Sequence, residues 1–479
     1  MRRYLQVSCS IFHPFLALFL LLVAGCTPHA PYRVPDPVIQ TNSVNLASDP
    51  EHRDQVASHN VERHPEFTLG FVEFDDQGDF WSRTQVNTLQ QVILDEAHRG
   101  GSHGVLMVVF IHGWKHNAAV CDENVACFRE VLQSLYKLER LRAAESASPA
   151  RRIVGVYAGW RGLSVTPFGL KELSFWTRKN TAHRVGGGQV LELLTSLEEL
   201  RDRINATGDG NSKLISIGHS FGAAVTYSAV SNLFLERLTR SNVQAVDDGD
   251  RDVLANGFGD LVILVNPAFE ASLYSGIHEL SLARDDWSPR QPAALFVISS
   301  ETDTATGKAF PIGRHLSTLF QRTRSPEQKA ALTTSLGNYV PYRTHNAQKI
   351  PVETARGEHS RLLPDVIELT QGQARGAGDC QCSYIDTQIL SDRDIQRYAE
   401  RLTDYRLATD KRLGERQQYG GVEMRRVNEA IPPYLPLLVV GATDDIVTQH
   451  NGIYNQLFID FMRAFLLEMD TRSESAVSP

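Results

Sequence analysis

Six short and continuously apolar runs dominate the pattern of hydrophobic and polar positions along the chain. Runs of this length that do not alternate are typical of strands buried on both faces of a sheet. The runs are Val105–Ile111, Ile153–Tyr157, Leu214–Ile217, Leu261–Val265, Leu295–Ser299 and Leu435–Val440. Segments with helical spacing separate most of them, as at Val190, Leu194 and Leu197. This alternation predicts an α/β fold, with a mostly parallel sheet and helices on both faces.

The segment before the first of these runs has a different pattern. Residues Phe67–Phe74 alternate between apolar and polar positions, residues 75–79 have the composition of a turn, and apolar character resumes at Phe80 and Trp81. This arrangement predicts a β-hairpin at the edge of the sheet. Residues Gln85–His98 follow with helical spacing and predict a helix.

A long stretch between the last two apolar runs breaks the rhythm. Residues 304–433 are charged and rich in proline, and we expect an insertion before the last strand. Within it, Ser391 has the character of an N-cap for a helix that runs through Tyr405. Two interpretations of the insertion stay open, a cap over a functional site and a surface excursion, because long insertions are well tolerated.

The strongest chemical signal is the pentapeptide Gly-His-Ser-Phe-Gly at residues 218–222. It lies between the apolar run Leu214–Ile217 and a helix-prone run at residues 223–227. A serine hydroxyl is a poor nucleophile unless a base reaches it, so it must project from a sharp turn. Gly218 and Gly222 allow that turn and a close approach of strand and helix. The pattern predicts that Ser220 is a nucleophile.

This stretch looks like the nucleophile elbow of the α/β-hydrolase superfamily, and the resemblance covers roughly residues 66–470, interrupted by the insertion. It implies an oxyanion hole made of two backbone N–H groups. One belongs to Phe221, the residue after the nucleophile. The other belongs to Trp114, because the His-Gly-Trp sequence at residues 112–114 directly follows a buried strand.

A serine nucleophile also needs a histidine as general base, and the chain has sixteen histidines. His450 is the best candidate, since it follows the final apolar run and precedes an amphipathic helix, where the superfamily has its histidine. His345 and His359, both in the insertion, are rivals. His112 and His219 belong to the two motifs and are expected to have structural roles.

The acid that orients the histidine is expected just after the run Leu295–Ser299. Asp303 is the first choice, because the superfamily has the chain order serine, acid, histidine. Three further carboxylates stay open as the acid: Glu301, and Asp444 and Asp445 just before the histidine. For all four, the alternative is a solvent-exposed loop carboxylate with no catalytic role, which is the commonest environment of Asp and Glu.

Composition narrows the list of partners. The 479-residue chain has 42% hydrophobic and 22% charged residues, which is ordinary for a globular protein, and its net charge is −8. No long basic block is present, so nucleic acid is not an expected partner. The motifs imply neither a metal nor an organic cofactor.

The N-terminus has the features of an export signal. Arg2 and Arg3 precede a continuous apolar segment, Phe15–Val23, and small residues lead directly to Cys26. This resembles the lipobox of bacterial lipoproteins, which implies removal of residues 1–25 and acylation of Cys26. Residue 27 is not the aspartate that often retains such proteins at the inner membrane, so we expect an outer-membrane lipoprotein facing the periplasm. An ordinary signal peptide or an uncleaved anchor stays open.

The expected domain organisation follows from these segments. Residues 26–65 are polar and without periodicity, which predicts a flexible tether. The catalytic domain spans residues 66–470, and residues 471–479 are expected to form a disordered tail. Four cysteines remain after the acylated one in an oxidising compartment, which favours disulfides. They are Cys121, Cys127, Cys380 and Cys382, and either a local Cys121–Cys127 bond or cross-pairing is open.

The function that the sequence predicts best is a membrane-anchored serine hydrolase. It would cleave a carboxylic ester of a small molecule or lipid through a Ser-His-Asp triad and an acyl-enzyme. Two alternatives from other classes stay open: an acyltransferase, in which an alcohol other than water accepts the acyl group, and a non-catalytic envelope lipoprotein that uses the fold as a binding module.

Overall fold

The computed structural model describes most of the chain, and all structural statements below concern those residues. They are residues 29–34, 59–99, 104–146, 148–164, 174–207, 210–248, 254–285, 287–350, 416–419, 421–427 and 430–477. Predictions that fall on the signal segment, Cys26, Cys380, Cys382, His359 and the Ser391–Tyr405 helix lie outside these ranges. None of the helices within them has the length and apolar character required to cross a bilayer.

One mixed sheet organises the described part of the chain. Its strands are β1 (Val61–Arg63), β2 (Phe67–Phe74), β3 (Val105–Ile111), β4 (Arg152–Trp160), β5 (Lys213–His219), β6 (Leu261–Val265), β7 (Leu295–Ser300), β8 (His345–Lys349), β9 (Arg416–Tyr419), β10 (Val422–Arg426) and β11 (Leu437–Ala442). The strand order is β1-β2-β4-β3-β5-β6-β7-β11-β8-β10-β9. All pairs from β2 through to β8 are parallel, and the antiparallel pairs lie at the two edges.

Helices separate the parallel strands. The α-helices of the described residues are α1 (Arg83–Ala97), α2 (Glu123–Ser146), α3 (Ser174–Gly186), α4 (Val190–Asn205), α5 (Phe221–Asp248), α6 (Ser275–Leu282), α7 (Phe310–Ser317), α8 (Pro326–Thr333) and α9 (Gln456–Val477). The predicted α/β class and mostly parallel sheet are therefore confirmed. Each of the six apolar runs lies in a strand, although the last strand begins at Leu437, two residues later than its run.

The two faces of the sheet bury separate apolar cores. On β3, Met107 and Val109 point into a core shared with α1, α4 and α5. Val108 and Phe110, at the alternate positions, point into a second core with residues of α2 and α9, such as Phe128 and Phe461. Covering both faces of a strand favours apolar residues at every position, which explains the unbroken runs.

The predicted edge hairpin is wrong in its pairing. Strand β2 (Phe67–Phe74) lies parallel to β4, and its antiparallel partner is β1 (Val61–Arg63) on its other side. Only a single bridge joins Phe74 to Phe80 after the turn. Every residue of β2 is buried, including Thr68 and Glu73. These two polar residues produced the apparent alternation, but both side chains accept or donate hydrogen bonds inside the protein.

The insertion does more than cover a surface. From residues 304–433, strands β8, β9 and β10 extend the sheet beyond β11, the strand that follows the insertion in sequence. Strand β8 is parallel to β11, and β10 pairs antiparallel with both β8 and β9. The remaining described part contains helices α7 and α8 and short helical turns. Polar residues on the solvated face hid these strands, as at Asn346 and Gln348 of β8.

The expected tether is not free where the structure describes it. Arg33 is fully buried, with its Nε donating to the Ala118 carbonyl at 2.7 Å and its Nη1 donating to Glu62 at 2.9 Å. Its guanidinium carbon lies 3.5 Å from the centre of the Phe71 ring. The backbone N–H of the same residue donates to the buried Glu73 carboxylate at 2.7 Å. Residues 29–34 are therefore docked on the body and not part of a flexible linker.

The structure bears on two further expectations, one about the C-terminal tail and one about the cysteines. Helix α9 continues to Val477, so residues 471–477 are helical where we expected a disordered tail. Cys121, in the loop before α2, and Cys127, within α2, are both disulfide-bonded.

Replacement of Arg33 tests whether the N-terminal segment is docked. We expect Arg33→Ala to lower the free energy of unfolding by roughly 2–4 kcal/mol, because it removes buried charge-assisted hydrogen bonds and a cation–π contact. Thermal denaturation of the full chain measures the change. The matched control is Arg83→Ala, whose ion pair with Glu192 is exposed, so this substitution should change the stability much less. Equal stability of the two variants would contradict docking.

Candidate active site

Ser220 lies at the sharp turn between strand β5 and helix α5. Its φ is +57°, a left-handed conformation that non-glycine residues rarely adopt. The turn is held in place because the backbone N–H of Ser220 donates to Val265 of the neighbouring strand at 3.0 Å. The strained backbone directs the side chain away from the sheet, at the carboxyl ends of the parallel strands.

The two glycines of the pentapeptide are required by close approach. A Cβ at Gly222 would lie 1.9 Å from the Ile111 carbonyl oxygen of strand β3. A Cβ at Gly218 would lie 2.7 Å from the Cα of Ala223 on helix α5. Neither position has room for a side chain. The helix therefore packs this closely against the strands only because both residues are glycine.

His450 meets Ser220 from a loop that is remote in sequence. The loop follows strand β11, and the imidazole Nε2 lies 2.7 Å from the Ser220 Oγ. The other ring nitrogen, Nδ1, lies 2.8 Å from Oδ2 of Asp303. Because an ionised carboxylate only accepts, Nδ1 carries the proton and Nε2 accepts from the serine hydroxyl. Three side chains thus form one continuous chain of hydrogen bonds.

Asp303 is positioned by the turn that follows strand β7. Its side chain is fully buried, and its Oδ1 accepts from the backbone N–H groups of Ala305 and Thr306 at 2.8 and 3.2 Å. Burial alone raises the pKa of this carboxyl group, but hydrogen bonds from His450 and Thr306 outweigh it and hold the pKa below its usual value. The carboxylate is therefore ionised at neutral pH.

The rival carboxylates have other partners. Glu301 is exposed and forms an ion pair with Arg343 at 2.9 Å. Asp444 accepts from Thr302 and from the backbone N–H of Gln449, so it braces the histidine loop from outside. Asp445 is exposed. Of the four candidate acids, only Asp303 lies within hydrogen-bond distance of the His450 ring among the contacts of the described residues.

The rival histidine within the described residues has a structural environment. His345 is buried in strand β8, with its Nδ1 at 2.9 Å from the Thr344 hydroxyl. Burial, together with the charge of Arg426, lowers its pKa to about 4. It is the first residue of strand β8, which pairs with β10 and β11.

The expected oxyanion donors lie on the two segments that touch Ser220. Gly113 packs against the nucleophile so closely that a Cβ there would lie 2.9 Å from the Ser220 Cβ. This places the turn containing Trp114 beside the hydroxyl. Phe221 is the first residue of helix α5, so its N–H lies in the helix turn that lacks intrahelical acceptors. Both segments therefore lie next to the nucleophile.

His112 supports this turn as a neutral side chain. Its Nε2 accepts from the backbone N–H of Trp160 at 3.0 Å, and its Nδ1 donates to the Gly113 carbonyl at 2.9 Å. Complete burial lowers its pKa to about 4. The ring thereby fixes the backbone next to the nucleophile, which agrees with the structural role expected from the sequence.

Asn266 is a site residue that sequence reasoning missed. It directly follows strand β6, and its Nδ2 donates to the backbone carbonyls of Gln449 and His450 at 3.1 and 2.8 Å. His219 reaches the same His450 carbonyl through its Nε2 at 2.9 Å, and burial lowers the His219 pKa to about 3. The signal was available in principle, because a polar residue at the carboxyl end of a buried strand lies at the site edge.

Backbone strain collects around these residues. Within the described residues, five non-glycine positions have a positive φ. They are Lys115, Ser220, Asn266, Tyr434 and Gln449. All except Tyr434 lie in the nucleophile turn or in the loops that contact it. Strain of this kind persists only where the surrounding structure enforces it, and it concentrates at functional sites.

An aromatic wall contacts Phe221, the residue that follows the nucleophile. The Phe175 ring contacts Phe221, Trp114 and Trp176, with ring centres 4.8, 5.3 and 5.1 Å apart. Trp176 contacts Phe310 of helix α7 in turn. The wall consists of apolar rings packed on one another. No group of three potential metal ligands is found in the part of the chain that the structure describes.

Comparisons with known proteins give little beyond this geometry. No protein-family model matches the chain, and no curated protein sequence matches it. Two solved structures are similar at low level. A cutinase from Trichoderma reesei, in complex with a phosphonate inhibitor, has 12% identity over 46% of this chain and 76% of its own, with a TM-score of 0.17. Phospholipase PlaB from Legionella pneumophila, in complex with thio-NAD, has 10% identity over 66% of this chain and 65% of its own, with a TM-score of 0.22.

Proposed function

We propose that this protein is a serine hydrolase of the α/β-hydrolase superfamily that cleaves carboxylic esters through an acyl-enzyme. The observation that carries the proposal is the continuous hydrogen-bond chain from the Ser220 hydroxyl through His450 to Asp303. Along the chain the nucleophile comes first, then the acid and then the base, which is the order typical of that superfamily. The strained turn at Ser220 supports the same interpretation.

Each residue has a role that its contacts support. The Ser220 oxygen attacks the ester carbonyl carbon while His450 Nε2 takes the hydroxyl proton. Asp303, already ionised and buried, stabilises the imidazolium that forms and holds its Nδ1–H in place. Return of the proton to the leaving alkoxide releases the alcohol and leaves the acyl group on the serine. A water molecule, deprotonated by the same imidazole, then releases the acid.

Charge on the carbonyl oxygen during both steps requires nearby N–H groups. Trp114 and Phe221 are the donors that we propose, because their segments enclose the nucleophile on two sides. The aromatic wall of Phe175 and Trp176 favours an apolar acyl or alcohol group beside the reactive carbonyl. An ester of a lipid or of another apolar small molecule fits this environment.

The cellular setting is part of the proposal. We propose that Cys26 is acylated after removal of residues 1–25, so that the enzyme is an outer-membrane lipoprotein that faces the periplasm. The sequence of the N-terminal segment supports this. Several acyl chains on one cysteine provide stable anchoring, whereas a single chain is marginal.

Labelling with a fluorophosphonate probe tests the nucleophile. Such a probe reacts with an activated serine hydroxyl, so we expect the folded wild-type protein to be labelled and Ser220→Ala to be unlabelled. The chain offers a matched control in Ser228, whose hydroxyl lies 2.9 Å from Nδ1 of His183 but has no place in the proposed triad. Ser228→Ala should label like the wild type. An unlabelled wild type with native circular dichroism would favour the binding-module alternative.

Substitution of the acid tests which carboxylate serves His450. We expect Asp303→Asn to lower kcat for a soluble ester by roughly 10³–10⁴-fold, because the amide no longer stabilises the imidazolium or fixes its tautomer. Glu301→Gln and Asp445→Asn should stay within about threefold of the wild type, since exposed carboxylates away from the ring contribute little. Steady-state kinetics of the three variants decide the matter. A large loss in either control, with Asp303→Asn active, would assign the acid elsewhere.

A further inference from the structure

The most exposed large apolar side chains of the described residues lie together on one short segment. Phe320 is 100% exposed, and Ile312, Leu316 and Leu319 are 66–69% exposed. The four positions are spaced by four, three and one residues, which is one face of helix α7 and the turn that continues it. Single exposed apolar residues are normal, but a contiguous patch marks an interaction site. We name these four residues the apolar stripe.

The opposite face of the same helix is firmly packed, so the stripe faces outward by construction. Phe310 is fully buried against Trp176. Gly313 lies so close to Trp176 that a Cβ there would be 1.7 Å from the ring. Arg314 forms an ion pair with the buried Glu270 at 2.7 Å, which ties the helix to the body. The helix therefore holds its apolar stripe toward the solvent.

The stripe lies at the rim of the proposed active site. Helix α7 begins only seven residues after Asp303, and one π-helical turn, Ala305–Ala309, connects the two. Successive ring contacts join Phe310 to Trp176, Phe175 and Phe221, the neighbour of the nucleophile. A surface that binds this stripe would therefore lie close to the segments that carry Asp303 and Ser220.

The N-terminal segment docks where the parallel strands have their carboxyl ends, as the active-site residues do. Arg33 and Tyr32 bind Glu73, near the carboxyl end of strand β2, which runs parallel to the nucleophile strand through β4 and β3. Arg33 also binds Ala118, in the loop after β3. Arg33 is the seventh residue after Cys26, and a fully extended chain of that length spans at most about 24 Å. An acyl anchor at Cys26 would therefore hold this edge near the bilayer.

Charges around the stripe have the sign that favours anionic lipids. Exposed cations lie at Lys308, Arg322, Arg324 and Lys329, and the one acid in residues 305–330 is Glu327. A cation close to an anionic bilayer favours binding, because the negative surface potential of the headgroups attracts it. The overall charge of −8 opposes such binding, so the attraction must come from this local group.

We propose that the apolar stripe inserts into the surface of the anionic bilayer that holds the Cys26 anchor, so that the active-site edge faces the membrane and takes its ester from the lipid phase. The inference rests on the proposed function for the identity of the reaction and the anchor. Amphipathic segments with apolar residues on one side and cations beside them lie in the interface, with the apolar side chains about 5–10 Å into the boundary of headgroups and acyl chains.

The first test measures contact with lipid and does not depend on activity. Full-length anchored protein carrying Phe320→Trp is reconstituted into vesicles of phosphatidylcholine and phosphatidylglycerol, with and without brominated acyl chains that quench tryptophan. We expect the bromines to quench more than about half of the added fluorescence, as burial at the acyl boundary requires. The matched control is Val243→Trp, which is 54% exposed near the far end of helix α5.

The second test measures access to substrate in the membrane. Leu319→Glu combined with Phe320→Glu should lower hydrolysis of an ester in these vesicles by about tenfold or more, since two carboxylates replace the apolar side chains that enter the bilayer. Hydrolysis of a soluble short-chain ester by the same variant should stay within about twofold of the wild type, because neither residue contacts the triad. Val243→Glu should leave both activities unchanged.

The outcomes separate the inference from the proposed function. Quenching at position 320 without hydrolysis of any ester would support membrane docking and contradict the hydrolase. Equal, weak quenching at positions 320 and 243 would overturn the docking proposal, even if soluble esters are cleaved. A blue-shifted emission at position 320 before vesicles are added would also overturn it, because another part of the protein would then cover the stripe.

Discussion

The buried carboxylate of Asp303 is the constraint on which the site depends. A fully desolvated charge is tolerated only when it is paired and hydrogen-bonded. Two backbone N–H groups, the Thr306 hydroxyl and the His450 imidazole fulfil this requirement. The same contact fixes which imidazole nitrogen carries the proton, and thereby leaves the other nitrogen free to accept from Ser220. The pairing that the buried Asp303 carboxylate requires therefore sets the roles of His450 and Ser220.

The sheet makes that pairing possible, and it does so at the cost of local strain. Strands β5, β6, β7 and β11 are neighbours and parallel, so the residues that follow them meet at one edge. Ser220, Asn266 and Gln449 adopt left-handed backbone conformations there. Asn266 binds the carbonyls of Gln449 and His450, which ties the histidine loop to strand β6. The large apolar cores on both faces supply the stability that such strained positions require.

The sequence predicts those features that depend on local chemistry. Unbroken apolar runs indicated the parallel strands, and the glycine pattern indicated the turn at Ser220. It failed where pairing is long-range. The alternation in Phe67–Phe74 came from Thr68 and Glu73, whose partners lie far along the chain, so a central strand resembled an edge hairpin. Arg33 likewise lies in a polar stretch that predicts a tether, and its burial depends on contacts with Glu62 and Ala118. Strands β8 and β10 are polar, and they form because they extend the sheet beyond β11.

Rapid acid quench of the reaction, followed by peptide mass spectrometry, tests the central claim most directly. With a slowly hydrolysed ester, the account predicts that the wild-type protein carries the acyl group of the substrate on the peptide that contains Ser220. It also predicts that this adduct forms and decays at rates that account for turnover. Turnover with the acyl group on a different residue, or turnover faster than decay of the Ser220 adduct, would contradict the account.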